Sequence, residues 1–188
     1  MHLPDVSLYD HSKTVAAFAV ALYDYLEDKK IQKMPTPDEK PFALVGGDLS
    51  GIQKFIYGII ARGAAKNLKG RSFYLQLLVD TIVRKILDSL NLYDANIIYA
   101  SGGGFYILAP NVGDLGEKLK ELEAHIAQQL FSYHATDLYL ALDFVSFGEA
   151  ELYYEKGKTR TIGEIWKELA EKLGAKKGQR FKAQLEKG

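Results

Sequence analysis

The residues most able to take part in chemistry lie in two short, glycine-rich segments. Residues 43–51 read Ala-Leu-Val-Gly-Gly-Asp-Leu-Ser-Gly and contain one carboxylate, Asp48. Residues 99–110 read Tyr-Ala-Ser-Gly-Gly-Gly-Phe-Tyr-Ile-Leu-Ala-Pro, the pattern of two strands joined by a tight glycine turn. If the first segment is a strand beside this hairpin, Asp48 lies close to the turn at residues 101–104.

The chemistry that such a site suggests is phosphoryl transfer, in which several carboxylates hold two metal ions about 3.5–4 Å apart. The arrangement is similar to that of palm-type polymerases and nucleotide cyclases, whose acids lie at the end of the first strand and on the central hairpin. Here the turn carries no acid. Asp48 alone is a poor Mg²⁺ site, because the ion prefers near-octahedral oxygen coordination. We therefore predict neither a catalytic residue nor a metal site.

The remaining features of both segments favour nucleotide binding. Backbone N–H groups at a helix start favour anions such as phosphate, and a glycine turn lets the backbone approach a ligand closely. Two simpler interpretations stay open: the glycines serve only a turn that needs positive φ, and Asp48 caps a helix. The predicted nucleotide contacts are Asp48, Ser50, Gly51, Ser101, Gly102 and Gly103.

Composition is that of an ordinary globular protein, with 47% hydrophobic and 26% charged residues among 188. The 24 basic and 24 acidic side chains cancel, so no whole-chain attraction to nucleic acid or to an anionic membrane is expected. The absence of cysteine excludes disulfides and thiolate zinc sites. From Lys156 to Gly188, ten basic residues stand against four Glu. This surplus indicates either a solvated helix face with a tail, or contact with RNA or an acidic partner.

Other ionisable residues give weaker signals, and no apolar run is long enough to span a bilayer. Lys66, Lys69 and Arg71 are candidate phosphate contacts, although a solvated charged turn is the simpler interpretation. No metal-ligand spacing relates the four histidines, His2, His11, His125 and His134.

Hydrophobic periodicity and breaker residues predict the order of the elements. Gly174 is expected to end the last helix. The expected capping residues are Asp10 or Ser12, Ser50, and Asp114 with Glu117. The predicted elements are helices over residues 12–29, 51–62 and 65–90 and beginning near 115 and 162, and strands over 42–48, 96–100, 105–109 and 137–147.

The central order of strand, helix, strand, strand, helix, strand is that of the ferredoxin-like unit. We predict an α+β fold, a ferredoxin-like palm in which an antiparallel βαββαβ sheet has helices on one face, with further flanking N- and C-terminal helices. The predicted domains are residues 1–40, a helix and linker; residues 41–150, the palm; and residues 151–188, a basic helical extension.

Four segments, in the order expected of one protein, carry a resemblance to a known family. They are residues 5–13 (Asp-Val-Ser-Leu-Tyr-Asp-His-Ser-Lys), 47–56 (Gly-Asp-Leu-Ser-Gly-Ile-Gln-Lys-Phe-Ile), 69–78 (Lys-Gly-Arg-Ser-Phe-Tyr-Leu-Gln-Leu-Leu) and 101–106 (Ser-Gly-Gly-Gly-Phe-Tyr). Together they closely resemble the large signature subunit of type III CRISPR effector complexes, in its Csm variety.

The resemblance implies that the chain is the first palm of such a subunit, between an HD-type nuclease domain and a cysteine-rich zinc element. In this family a second palm with a Gly-Gly-Asp-Asp hairpin supplies the metal-binding acids, and ATP lies between the two palms. The complex binds a guide RNA and a matching target RNA. Binding of the target RNA switches on conversion of ATP into cyclic oligoadenylates, and the HD domain can cut single-stranded DNA. The six predicted contacts would face the shared pocket.

The expected function is therefore a non-catalytic half of an ATP pocket for cyclic oligoadenylate synthesis in antiviral defence, inactive alone. ATP is the implied cofactor, with Mg²⁺ in the complete protein, and none is needed for folding. Implied partners are the second palm, other Csm subunits and, indirectly, guide and target RNA, in the cytoplasm and without a membrane. Because an uncovered palm surface is partly apolar, a second copy of the chain is a further candidate partner.

Two other classes of function stay open. The chain could be a ferredoxin-like RNA-binding module that stacks bases on Phe105 or Tyr106. Only one of these neighbours can face outward, because successive side chains of a strand point to opposite faces. The third hypothesis is a scaffold that only docks a partner subunit.

Overall fold

The computed structural model describes residues 6–58, 64–153 and 160–178. No helix within these ranges has the length and apolarity needed to cross a bilayer. The helices are α1 (Leu8–Lys29), α2 (Ile52–Tyr57), α3 (Ala64–Leu90), α4 (Leu115–His134), α5 (Glu149–Leu152) and α6 (Ile162–Gly178), and the strands are β1 (Phe42–Ser50), β2 (Ile97–Ser101), β3 (Gly104–Pro110) and β4 (Tyr139–Phe147).

The four strands form one antiparallel sheet in the order β2-β3-β1-β4. This order follows from the βαββαβ connectivity, in which the two crossover helices place the first and third strands at the centre. The predicted α+β, ferredoxin-like palm is confirmed. As a result, β1 lies between β3 and β4 and brings the end of the first strand beside the glycine hairpin.

Both faces of the sheet are covered by helices. On one face, α3 and α4 pack through leucine and isoleucine side chains against Val45, Phe105 and Leu142. On the other face, the flanking helices α1 and α6 pack against Leu44 and its neighbours. Because β1 is central and covered on both sides, residues 42–48 are buried except at the last position. A near-continuous apolar strand of this kind is what two covered faces require.

Several predicted helix ends were wrong. Ser7, rather than Asp10 or Ser12, caps α1, and its Oγ accepts the N–H of Asp10 at 3.0 Å. Asp114 occupies the N-cap of α4 without a side-chain hydrogen bond. It pairs instead with the ammonium of Lys118 at 2.8 Å. Gly174 does not end α6, which continues to Gly178 because its last turn is held against the sheet by lysine contacts.

Candidate functional site

Strand pairing brings Asp48 next to the glycine hairpin. Asp48 of β1 is the register partner of Gly104 of β3, and Gly104 is in turn the partner of Ser101 of β2. The backbone N–H of Leu49 also donates to the carbonyl of Gly103, at 2.9 Å. The end of the first strand and the hairpin turn therefore form one continuous surface.

The hairpin turn has the backbone conformation that glycine allows. Gly102 and Gly103 both have positive φ, 63° and 93°, as in the two-residue turns that match the twist of paired strands. A Cβ on Gly103 would lie 2.1 Å from the Cδ1 of Ile52, whereas a Cβ on Gly102 would meet nothing within 4 Å. Gly103 is thus pressed against α2, while Gly102 faces open space and remains accessible to a ligand.

Ser50 and Gly51 form a structural corner. Ser50 does not cap a helix as predicted; Gly51 is the N-cap of α2 and makes no side-chain cap hydrogen bond. Gly51 has φ of +92°, and a Cβ there would lie 1.8 Å from the carbonyl oxygen of Asp137. Glycine is therefore required by the close passage of two backbone segments. Helix α2 ends at Tyr57 instead of continuing to Arg62, and residues 59–63 lie outside the described residues.

A cavity of about 200 Å³ opens on the α3 side of the hairpin. Apolar side chains from α2 and α3 form its inner wall. One face of α3 adds three polar side chains spaced four residues apart, Ser72, Gln76 and Asp80. The lining from the hairpin comprises Ala100, Ser101, Gly102 and Gly103. Three of the six predicted contacts therefore meet in one cavity, whereas Asp48, Ser50 and Gly51 are not among its lining residues.

Asp48 is bound by a lysine from the far end of the chain. The Nζ of Lys177, in the last turn of α6, donates a hydrogen bond to the Oδ2 of Asp48, and both side chains remain more than one-third exposed. The simpler interpretation, in which Asp48 caps a helix, is therefore wrong, because Gly51 is the N-cap of α2 and receives no side-chain hydrogen bond. Sequence reasoning missed Lys177 because nothing in its local sequence separates it from other surface lysines.

The basic surplus of the C-terminal region is partly used inside the molecule. Lys176 donates to the carboxylate of Glu123 at 2.7 Å and lies 3.5 Å from that of Asp143. Lys172 donates to the carbonyl of Phe144 at 2.9 Å. These lysines of α6 thus dock the helix on the sheet, which was neither of the two predicted roles. The remaining basic residues of the surplus at 156–159 and 179–188 lie outside the described residues.

A second cluster joins α2, α3 and α4 away from the hairpin. Arg71 donates to the carbonyl of Phe55 and stacks over its ring at 5.1 Å, so it is held in a structural contact. The hydroxyl of Tyr74 lies 2.8 Å from the Nε2 of His134. Burial lowers the pKa of His134, and the nearby carboxylate of Asp137 raises that pKa by a smaller amount. Across the described ranges, no three His, Asp or Glu side chains are placed to hold a metal ion.

The aromatic residues proposed for RNA stacking are largely occupied. Phe105 is 1% exposed and belongs to the core on the α3 side. Its neighbour Tyr106 points to the other face, as alternation requires, and packs edge-on against Trp166 with ring centroids 4.4 Å apart. Phe105 therefore offers no free face on which a base would stack, and the ring of Tyr106 is partly occupied by Trp166.

Comparisons with known proteins consistently point to one family. A family model described as Csm1 subunit domain B matches residues 41–187. The CRISPR system single-strand-specific deoxyribonuclease Cas10/Csm1 (subtype III-A) of Methanocaldococcus jannaschii is 38% identical over 208 residues, covering 98% of this chain and 26% of the relative. Its counterpart in Streptococcus thermophilus is 36% identical over 188 residues, covering 95% of this chain and 25% of the relative.

Solved structures agree with the sequence relatives. The crystal structure of a Csm1–Csm4 cassette in complex with one ATP matches with a TM-score of 0.82 and 35% identity, covering 94% of this chain and 24% of that chain. That of a Csm1–Csm4 cassette in complex with cA4 matches with a TM-score of 0.80, 35% identity and the same coverage, 94% and 24%. The chain thus spans about a quarter of the length of the relatives that it matches.

Proposed function

The chain belongs to the Csm1 family, which it matches over domain B of that subunit, and on this premise we propose that it forms one half of a nucleotide pocket. It is a palm domain of a type III CRISPR large subunit. In this proposal it binds ATP without catalysing a reaction alone. A second palm of the same subunit closes the pocket and supplies the acids that hold Mg²⁺, and the complete pocket makes cyclic oligoadenylate.

The observation that carries the proposal is a hairpin turn that meets Asp48 and bears no acid. Gly104 stands opposite Asp48, and the Asp48 carboxylate is already paired with the ammonium of Lys177. Asp143, on β4 opposite Gly46, is engaged by two lysines of α6. These carboxylates are therefore neutralised by ammonium groups, which suits binding of an anionic ligand better than holding a pair of metal ions.

The size of the cavity beside the hairpin supports a half-site. Its volume is about 200 Å³, below the roughly 300–1,000 Å³ of pockets that enclose a drug-sized ligand. A base or a phosphate group fits such a space, and a whole nucleotide needs a second wall. Crystal structures of Csm1–Csm4 cassettes in complex with ATP and with cA4 support a nucleotide as the ligand.

The proposed partners follow from the same reasoning. The second palm of the large subunit is the wall that completes the pocket, and a Csm4-type subunit is a further partner, as in the related cassettes. Guide and target RNA act indirectly in this proposal, since Phe105 is buried in the core and Tyr106 packs against Trp166. The cytoplasm is the proposed location.

Calorimetry tests the proposal. ATP with Mg²⁺ is titrated into the chain alone and into a mixture with a second-palm protein that carries the Gly-Gly-Asp-Asp hairpin. We expect binding that appears or tightens in the mixture and is lost in Ser101→Tyr, whose side chain would cover the bare sheet surface beside Gly104. Ser132→Tyr, on the exposed side of α4, is the matched control and should bind as the wild type does. Absence of binding in every case would overturn the proposal and favour the scaffold hypothesis.

A further inference from the structure

We propose that Lys177 contacts the phosphate groups of the nucleotide on the α6 face of the sheet, beside the glycine hairpin and across the sheet from the cavity, and that Asp48 acts by positioning its ammonium. This inference rests on the proposed function and assigns a role to the last described turn of α6, which lies outside the six predicted contacts. Asp48 is then a positioning residue for a cationic side chain, and it is not a ligand of a metal ion.

The ammonium of Lys177 lies at the edge of an open surface. Asp48, which accepts its hydrogen bond, stands opposite Gly104, and directly opposite residues of an antiparallel pair project from the same face. Gly104 has no side chain, and the atoms nearest to a Cβ built there are backbone oxygens 3.9 Å away. On its far side Gly104 is paired with Ser101. Because neighbouring strands are about 4.8 Å apart, roughly 10 Å of sheet surface between Asp48 and Ser101 carries no side chain.

Lys177 has donors to spare. An ammonium carries three N–H groups, and Asp48 is the only acceptor of Lys177 among the residues that the structure describes. Its side chain is 36% exposed, so an anion can reach it. Lys176 differs, because Glu123, Asp143 and the carbonyl of Leu142 surround its ammonium.

The position of Lys177 is set by the rest of α6. Ile165, Leu169 and Leu173 bury this helix against the sheet, and the contacts of Lys176 hold its last turn. The lysine is therefore delivered to the same place in the absence of a ligand. Such pre-organisation lowers the entropic cost of binding, since the side chain is not ordered at the moment of contact.

The ion pair itself contributes little to stability. Both partners are more than one-third exposed, and pairs of this kind contribute about 0–1 kcal/mol. Replacing Lys177 should consequently leave the fold intact. A loss of binding in such a variant then reports on the contact with the ligand, rather than on unfolding.

In the test, inorganic tripolyphosphate and then ATP, both without Mg²⁺, are titrated into the full 188-residue chain up to millimolar concentration. Binding is monitored by NMR of the lysine side chains. We expect both ligands to shift the Lys177 resonance. Lys177→Met should weaken both by about 10- to 100-fold, the effect of a lost hydrogen bond to a charged group, while Lys177→Arg retains most of the affinity. Lys167→Met is the control, because Lys167 is exposed on the same helix beside Glu164; it should bind as the wild type does.

The possible outcomes separate the inference from the function on which it rests. Wild-type binding that is unchanged in Lys177→Met would overturn the role of Lys177 and leave the nucleotide site in place. Displacement of the Lys177 resonance by Mg²⁺ alone would overturn the positioning role of Asp48, since the ion would then occupy its carboxylate. Absence of phosphate or ATP binding to the chain alone would overturn the inference, whereas the proposed function is overturned only if ATP also fails to bind in the mixture with the second-palm protein.

Discussion

Replacing Gly47 with alanine tests how closely β1 and β3 are packed at the entrance to the hairpin. A Cβ on Gly47 would lie 1.9 Å from the Cζ of Phe105 and 2.4 Å from its Cε1. Carbon atoms in favourable contact are about 3.5–4.0 Å apart, so the ring and the new methyl must separate by roughly 1.5–2 Å. Phe105 is 1% exposed and is enclosed by core side chains, so the ring cannot turn outward.

The expected cost follows from two opposing terms. Overpacking a filled core costs about 1–3 kcal/mol, and a rigid aromatic ring places this site in the upper part of that range. Replacing glycine with alanine also reduces the entropy of the unfolded chain, which stabilises by about 0.4–1 kcal/mol. We expect a net loss of about 2 kcal/mol. For a chain of 188 residues this corresponds to a Tm lowered by about 4–8 °C.

Thermal and urea denaturation followed by circular dichroism give the measurement, and two other glycines give matched controls. In Gly46→Ala the new methyl meets only the flexible ends of Leu169, at 2.9 Å, and Leu173, at 3.1 Å, so the loss should be smaller. In Gly174→Ala nothing lies within 4 Å of the new methyl, and the helix should gain up to about 1 kcal/mol. A Gly47→Ala protein no less stable than Gly46→Ala would refute the packing argument.

Two further predictions concern a buried amide and a half-buried histidine. Asn96 is fully buried and its amide nitrogen donates to the carbonyl of Leu108 at 2.9 Å, so Asn96→Ala should cost about 1–3 kcal/mol in urea denaturation; an unchanged midpoint would contradict this. Burial lowers the pKa of His134 below its ordinary 6.5, so below that value the unfolded chain binds more protons than the folded one and stability falls as the pH falls. The loss of stability between about pH 7 and about pH 5.5 should be smaller in His134→Gln than in the wild type, and equal losses would refute the reasoning.

The sequence predicted those parts of the fold that depend on local periodicity. The predicted first strand begins at Phe42, as observed, and the predicted long helix over residues 65–90 begins one residue late. Both predictions succeed because the apolar run of the strand and the apolar face of the helix are bounded by residues that interrupt regular secondary structure. The proximity of Asp48 to the hairpin was also predictable, since it follows from the βαββαβ order alone.

Features that depend on distant contacts could not be predicted. Gly174 is a reasonable helix end by propensity, but Leu173 and Lys176 hold the following turn on the sheet, and such packing overrides the cost of a glycine. The contact between Asp48 and Lys177 joins residues 129 positions apart, and no local pattern reports it. The cavity polar groups of α3 were missed because Gln76 and Asp80 become neighbours of the hairpin only when the helix packs.

The covering of the second sheet face by α1 and α6 affects how the chain would respond to a protease. Ala17 and Ala21 of α1 are fully buried, and the buried Asn96 amide lies 3.5 Å from the carbonyl of Ala17. Cleavage within the exposed segment at residues 33–38 would cut the chain without freeing α1, because its apolar contacts do not depend on the connecting peptide. The nicked protein should migrate as one species under native conditions and separate into two only on denaturation.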